Sequence, residues 1–268
     1  GAIDAANAGN GTVNITGALT YNGTIGTGTK VAAVAFNAGG NAVAIGKAIT
    51  SAAITINAAD TITSGGLITG NVTFNANGKI ISNAGIIGNV DFNDNDASIE
   101  LADNQVLTGD ADSAGGANGT LKFLGNGQVT GTIGANQALT KVIASGAGTV
   151  QLANGTSKAA TFETNHANAI IEVAAGGLGK LQGNVDATVN GGQLKFLGDG
   201  EVTGTIGVTN PLTQITASGP NGTALVLRNI TNTGILELSS GADVTLENNT
   251  TIDKLNIVDV NSHVNIAD

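Results

Sequence analysis

The amino-acid sequence predicts an all-β protein, a right-handed parallel β-helix (β-solenoid) of about 18–20 residues per coil. Three observations predict it. Glycine supplies 41 of 268 residues while charged residues make up only 11%, against roughly a quarter in ordinary globular domains. Long phrases recur at a fixed offset. Near the C-terminus, triplets of alternating polarity return at the spacing of a coil.

Those triplets are Leu236-Glu237-Leu238, Val244-Thr245-Leu246, Leu255-Asn256-Ile257 and Val264-Asn265-Ile266, and every second one begins about one coil after its predecessor. Apolar-polar-apolar alternation is a half-buried strand with one face inward. Between the triplets stand Ser239-Ser240-Gly241 and Asn248-Asn249, residues that accept the turn conformations of a coil corner. The longest repeat aligns Gly119–Gly134 (GTLKFLGNGQVTGTIG) with Gly192–Gly207 (GQLKFLGDGEVTGTIG), 13 identities in 16 positions at an offset of 73. Further matches at the same offset make residues 119–146 and 192–219 duplicated groups of coils. A shorter echo is Gly-Asn-Val, at Gly70–Phe74, Gly88–Phe92 and Gly183–Ala187, the first two a single short coil apart.

A hydrophobic share of 41% argues against disorder. With one Tyr, six Phe and no Trp, the core must come from small and β-branched side chains, which suit closely stacked layers. Phe36, Phe74, Phe92, Phe123, Phe162 and Phe196 are assigned to that core. The two prolines, Pro211 and Pro220, mark no linker, so residues 1–268 read as a single continuous solenoid, with 1–60 Ala-rich and less regular. Even there Val43-Ala44-Ile45 and Ile54-Thr55-Ile56 alternate, the pattern of strands rather than helix.

A formal charge of −10 with Arg228 as the sole arginine excludes nucleic-acid wrapping, which needs clustered Lys and Arg. No apolar run is long enough for a membrane-spanning helix and the aromatic girdles of a membrane barrel are missing, so direct membrane insertion of this segment is not expected. Zero cysteines exclude a disulfide framework and a thiolate metal site. The start at Gly1, followed by small polar residues, reads as an internal segment rather than a signal peptide.

The phrases Leu121-Lys122-Phe123-Leu124-Gly125 and Val129-Thr130-Gly131-Thr132-Ile133-Gly134, their second copy, and the Gly-Asn-Val-Asp-Phe coils resemble the passenger regions of rickettsial surface-cell-antigen autotransporters. The resemblance spans most of residues 60–268. It implies a non-enzymatic passenger secreted through its own barrel and displayed on the outside of the bacterial outer membrane, an antigen and virulence factor acting in adhesion to or invasion of host cells. The implied partner is a host cell-surface protein or glycan. Alternatives from other classes are a polysaccharide-cleaving β-helix enzyme and a surface-coat protein working through lateral self-association.

Individual residues add little chemistry. His166 and His263, the two imidazoles, stand far from any recognisable nucleophile arrangement, so no catalytic residue and no cofactor is assigned. Clustered carboxylates would mark a polysaccharide-cleaving site, which makes Asp91, Asp94, Asp96 and Glu100 the enzymatic candidates. Asp91, Asp94 and Asp96 also have a spacing that could gather oxygens for Ca²⁺. The sixth position, where a helix-loop-helix site needs glycine, is Asp96 itself, so an Asp-rich turn is favoured over a metal site. Asn-x-Thr triplets such as Asn14-Ile15-Thr16 follow from composition and are taken as corner and ladder residues.

Overall fold

The computed structural model describes residues 1–267 apart from 95, 190 and 221. Every regular element among them is a β-strand, stacked in parallel as a β-solenoid of about 13 turns. The chain divides into two compact units, residues 1–123 with 129–140, and residues 124–128 with 141 onward.

In the first unit the laps lay their strands into two sheets. One sheet runs through Asn10–Ile15, Val31–Phe36, Ile49–Ile56, Ile68–Phe74 and Val90–Phe92, the other through Leu19–Tyr21, Ala42–Ile45, Thr61–Ser64, Lys79–Ser82, Ser98–Leu101 and Asn118–Phe123. Register is strict: Ile15, Phe36, Ile56, Phe74, Phe92 and Ser113 lie one above another, each a single lap after the one before. Alternation sends these side chains inward, and Phe36, Ile56, Phe74 and Phe92 are fully buried. The rings of Phe74 and Phe92 stack at 5.1 Å between centroids. Each such side chain contributes about 1.5–3 kcal/mol by leaving water. The Ala-rich segment folds as Val31–Phe36, Ala42–Ile45 and Ile49–Ile56, with Val34, Val43, Ile45 and Ile54 in the core.

The second unit follows the same plan. Val150, Ile171, Leu194, Ile215 and Leu236 form one inward column, and Val202, Leu227 and Leu246 another. Laps here are longer on average, and the lap from Val202 to Leu227, which contains both prolines, is among the longest. Extra residues collect at corners, where they cost no core packing, so the strand positions persist while the lap length varies.

The Gly-Asn-Val echo has a specific geometry. Gly70, Gly88, Gly109 and Gly131 stack at one corner, and a Cβ on each would fall 2.2–2.3 Å from a carbonyl oxygen of the lap before it. Gly70, Gly88 and Gly109 also have φ between +139° and +145°, a region open to glycine. The Asn that follows turns its side chain to the next lap: Asn71 Oδ1 accepts from Asn89 N–H at 3.1 Å, and Asn89 Oδ1 from Asp110 N–H at 3.1 Å. Valine then enters the core, as Val72 and Val90 show. In this triplet glycine permits the close approach, asparagine satisfies a donor the corner would leave unpaired, and valine packs.

A second corner rests on a buried carboxylate. Asp60 is fully buried, and its two oxygens accept from Ala38 N–H and Gly40 N–H, each at 2.8 Å. Asp60→Ala strands two donors away from water, and the expected loss is about 3 kcal/mol in urea unfolding, with Asp60→Asn losing less because one acceptor remains. Equal losses from the two variants would refute this account.

Candidate functional site

Outward positions of the strands carry the polar chemistry, and register brings residues one lap apart together. Glu100 sits between Lys79 at 2.8 Å and Lys122 at 3.2 Å. In the second unit Glu201 is held by Lys180 at 2.9 Å and by Arg228, which continues to Glu247 at 2.6 Å. Glu163 pairs with Lys141 at 2.7 Å and Glu172 with Lys195 at 2.9 Å. These ladders compensate their own charge; the pairs of Glu100 and Glu201 stay part-exposed and add at most about 1 kcal/mol each, whereas Glu163 and Glu172 are buried.

Burial raises the Glu100 carboxyl, but hydrogen bonds and charge from Lys79 and Lys122 outweigh it and hold the group below its ordinary 4.5. Glu201 is likewise held low, chiefly by the Lys180 hydrogen bond. Carboxylates depressed in the folded state stabilise it above their unfolded pKa, and that contribution is lost as pH falls through the depressed value. Urea midpoints are therefore expected to hold steady from neutrality to about pH 5 and to fall below about pH 4. Glu100→Gln should weaken that acid dependence. A midpoint rising continuously as pH drops below 4 would contradict it.

Uncharged ladders run alongside. Asn75 donates from Nδ2 to Asn57 Oδ1 at 2.8 Å and Asn93 to Asn75 Oδ1 at 3.0 Å. All three are exposed.

The duplicated phrases carry duplicated bonds. Asp110 Oδ1 accepts from the backbone N–H and hydroxyl of Thr132, and Asn184 Oδ1 does the same for Thr205. Asp112 receives the N–H groups of Asn136 and Gln137, and Asp186 those of Thr209 and Asn210. Repetition in sequence here means repetition of lap-to-lap stapling. The backbone N–H of Thr132, followed by its hydroxyl, holds Asp110 below the ordinary carboxylate value.

The acidic candidates are dispersed. Asp91 lies outward on Val90–Phe92, whereas Glu100 belongs to the other sheet with its two lysines. Asp94 Oδ1 accepts from Asp96 N–H at 3.1 Å, the bond of an Asp-rich turn. Asp91 instead stands in register with Asp112, and burial followed by that neighbouring charge raises its pKa. Among the described residues no three acidic or histidine side chains gather as a metal site would require. Added Ca²⁺ is expected to leave the melting temperature unchanged, and a shift of several degrees at sub-millimolar Ca²⁺ would overturn that. His166 Nδ1 accepts from Asn168 N–H, and His263 lies 2.8 Å from its registered neighbour Asp243; His166 is a half-buried turn residue and His263 an exposed ladder residue.

The structure places all six phenylalanines inside, none on a binding face. Sequence reasoning missed Asp60 and the ion-pair ladders, whose partners lie a variable lap away.

Outer membrane protein A of Rickettsia rickettsii is similar to this chain, 36% identical over 132 residues that make up 47% of this chain and 6% of that protein. No family model and no solved structure matches. The repeat phrases lead one to expect outer-membrane protein B, whereas the similarity found is to protein A. It is weak, and it supports the rickettsial surface antigens as a group rather than protein B in particular.

Proposed function

We propose that this chain is a non-enzymatic stretch of a bacterial autotransporter passenger, displayed outside the outer membrane and adhering to a host cell-surface protein or glycan. The likeness to a rickettsial outer membrane protein carries the reading. Two features of the molecule support it. Its outward positions are polar ladders whose charges are largely spent on one another, a surface suited to extended, multipoint contact. Of the carboxylates considered for catalysis, Asp91 and Glu100 lie on different sheets.

The test is binding of the 268-residue chain to intact host cells, against a folded variant with Thr73→Lys and Asn75→Lys on the outward face. Saturable binding of the parent, reduced in the variant, supports adhesion through that face. Absence of binding by either, or turnover of polysaccharide by the parent, defeats the reading.

A further inference from the structure

Asparagine followed by glycine is the linkage most prone to spontaneous deamidation, because no side chain shields the following nitrogen. Six such linkages have both residues described: Asn10-Gly11, Asn22-Gly23, Asn77-Gly78, Asn118-Gly119, Asn126-Gly127 and Asn154-Gly155. Ring closure needs the asparagine backbone to rotate until the glycine nitrogen faces Cγ. It also needs room for a five-membered imide.

Five of the six are hindered by contacts in the fold. Gly23 is boxed in by the Tyr21 ring and the Gly1 carbonyl. Gly78 is buried against Ile56, and its N–H is donated to Ala76 O at 2.7 Å. Asn118 is buried, and Gly119 presses on the Phe92 ring. Asn126 Oδ1 is held by Thr149 N–H at 3.0 Å. Asn10 is paired in register with Val31, so its rotation would break the strand. Asn154 differs from all of these. It is exposed and lies in the turn between Gly148–Leu152 and Thr156–Thr164. Its side chain makes one long bond, Nδ2 to Ala175 O at 3.3 Å. A Cβ on Gly155 would meet nothing within 4 Å, as on Gly11, but Asn154, unlike Asn10, lies outside any strand.

We infer that Asn154 is a site of spontaneous modification, an asparagine that the fold leaves free to deamidate while it protects the other described Asn-Gly linkages. The Gly155 nitrogen bonds to Asn154 Cγ and gives up its proton as the side-chain nitrogen departs as ammonia, closing a succinimide. Water then opens the imide at either carbonyl, leaving aspartate or isoaspartate. Both products replace a donor to Ala175 O with a carboxylate facing that oxygen, and isoaspartate also lengthens the backbone just before a strand registered on Lys180–Ala187. The contact between these two laps is therefore loosened with age.

Tryptic mapping separates the sites, because the peptide from Val142 to Lys158 contains Asn154 as its sole asparagine. The folded chain, aged at mildly alkaline pH and body temperature, is expected to gain the amide-to-acid mass in that peptide well before the peptides holding Asn10, Asn22, Asn77, Asn118 or Asn126. The denaturant-unfolded chain should lose this ranking. Hydrogen exchange in Thr156–Thr164 should rise on ageing in the parent and stay constant in Asn154→Gln. Equal rates in the folded chain for that peptide and the peptides holding Asn10, Asn22, Asn77, Asn118 or Asn126, or an earlier gain in any of these, would overturn the inference.

Discussion

Val244→Asp is expected to melt the C-terminal laps, while Thr245→Asp, one residue along, leaves them folded. Val244 is fully buried in an inward column between Leu225 and Val264, and Leu246 continues the same face. A carboxylate there has no partner within a stack of Leu and Val, so it must either ionise in an apolar interior or stay protonated and unpaired. The cost is about 4 kcal/mol or more. Thr245 points the other way, between Val226 and Asn265, and its substitution should cost under about 1 kcal/mol. Solenoid laps lean mainly on their immediate neighbours. Fast hydrogen exchange is therefore expected across Ala224–Ala267, with Thr156–Thr164 still protected. Equal destabilisation by the two substitutions would mean that the register is wrong.

That register was legible because a strand repeats every two residues, and Val244-Thr245-Leu246 states its period within three positions. The phenylalanines were legible for the same reason. What escaped the sequence depends on the third dimension. Lys122 stands in the duplicated phrase, but its partner Glu100 lies 22 residues back, and the unequal lengths of the laps prevent pairing by counting. Asp60 gives no local signal at all, since its two donors, Ala38 and Gly40, lie a full lap earlier in an alanine-rich stretch. At Asp91, Asp94 and Asp96 the sequence favours an Asp-rich turn over a metal site, and Asp94 and Asp96 are joined by the bond of such a turn. Asp91 lies on the preceding strand, in register with Asp112 rather than in that turn. The Gly-Asn-Val phrase was visible as an echo, while its reason, a glycine seated on the carbonyl of the previous lap, was not.

Gly88→Val tests that reason and is expected to have the second of the two largest effects. A Cβ at position 88 would lie 2.3 Å from Gly70 O and 2.6 Å from Gly70 C, and neither atom can swing aside because both belong to the backbone of the adjoining lap. The φ of +139° adds strain that a β-branched residue bears worst. Strain of about 1–3 kcal/mol and overpacking of similar size together predict a loss of about 4 kcal/mol. Gly109 sits on Gly88 O in the same way, at 2.3 Å, so the lap above is disturbed as well, and exchange should quicken from Ile68 through Ser113. Gly115→Ala serves as the control, because a Cβ there meets nothing within 4 Å, and its cost should stay within about 0.5 kcal/mol. If Gly88→Val were as mild as Gly115→Ala, the stacked corner would have to be more open than the backbone contacts at Gly70, Gly88, Gly109 and Gly131 allow.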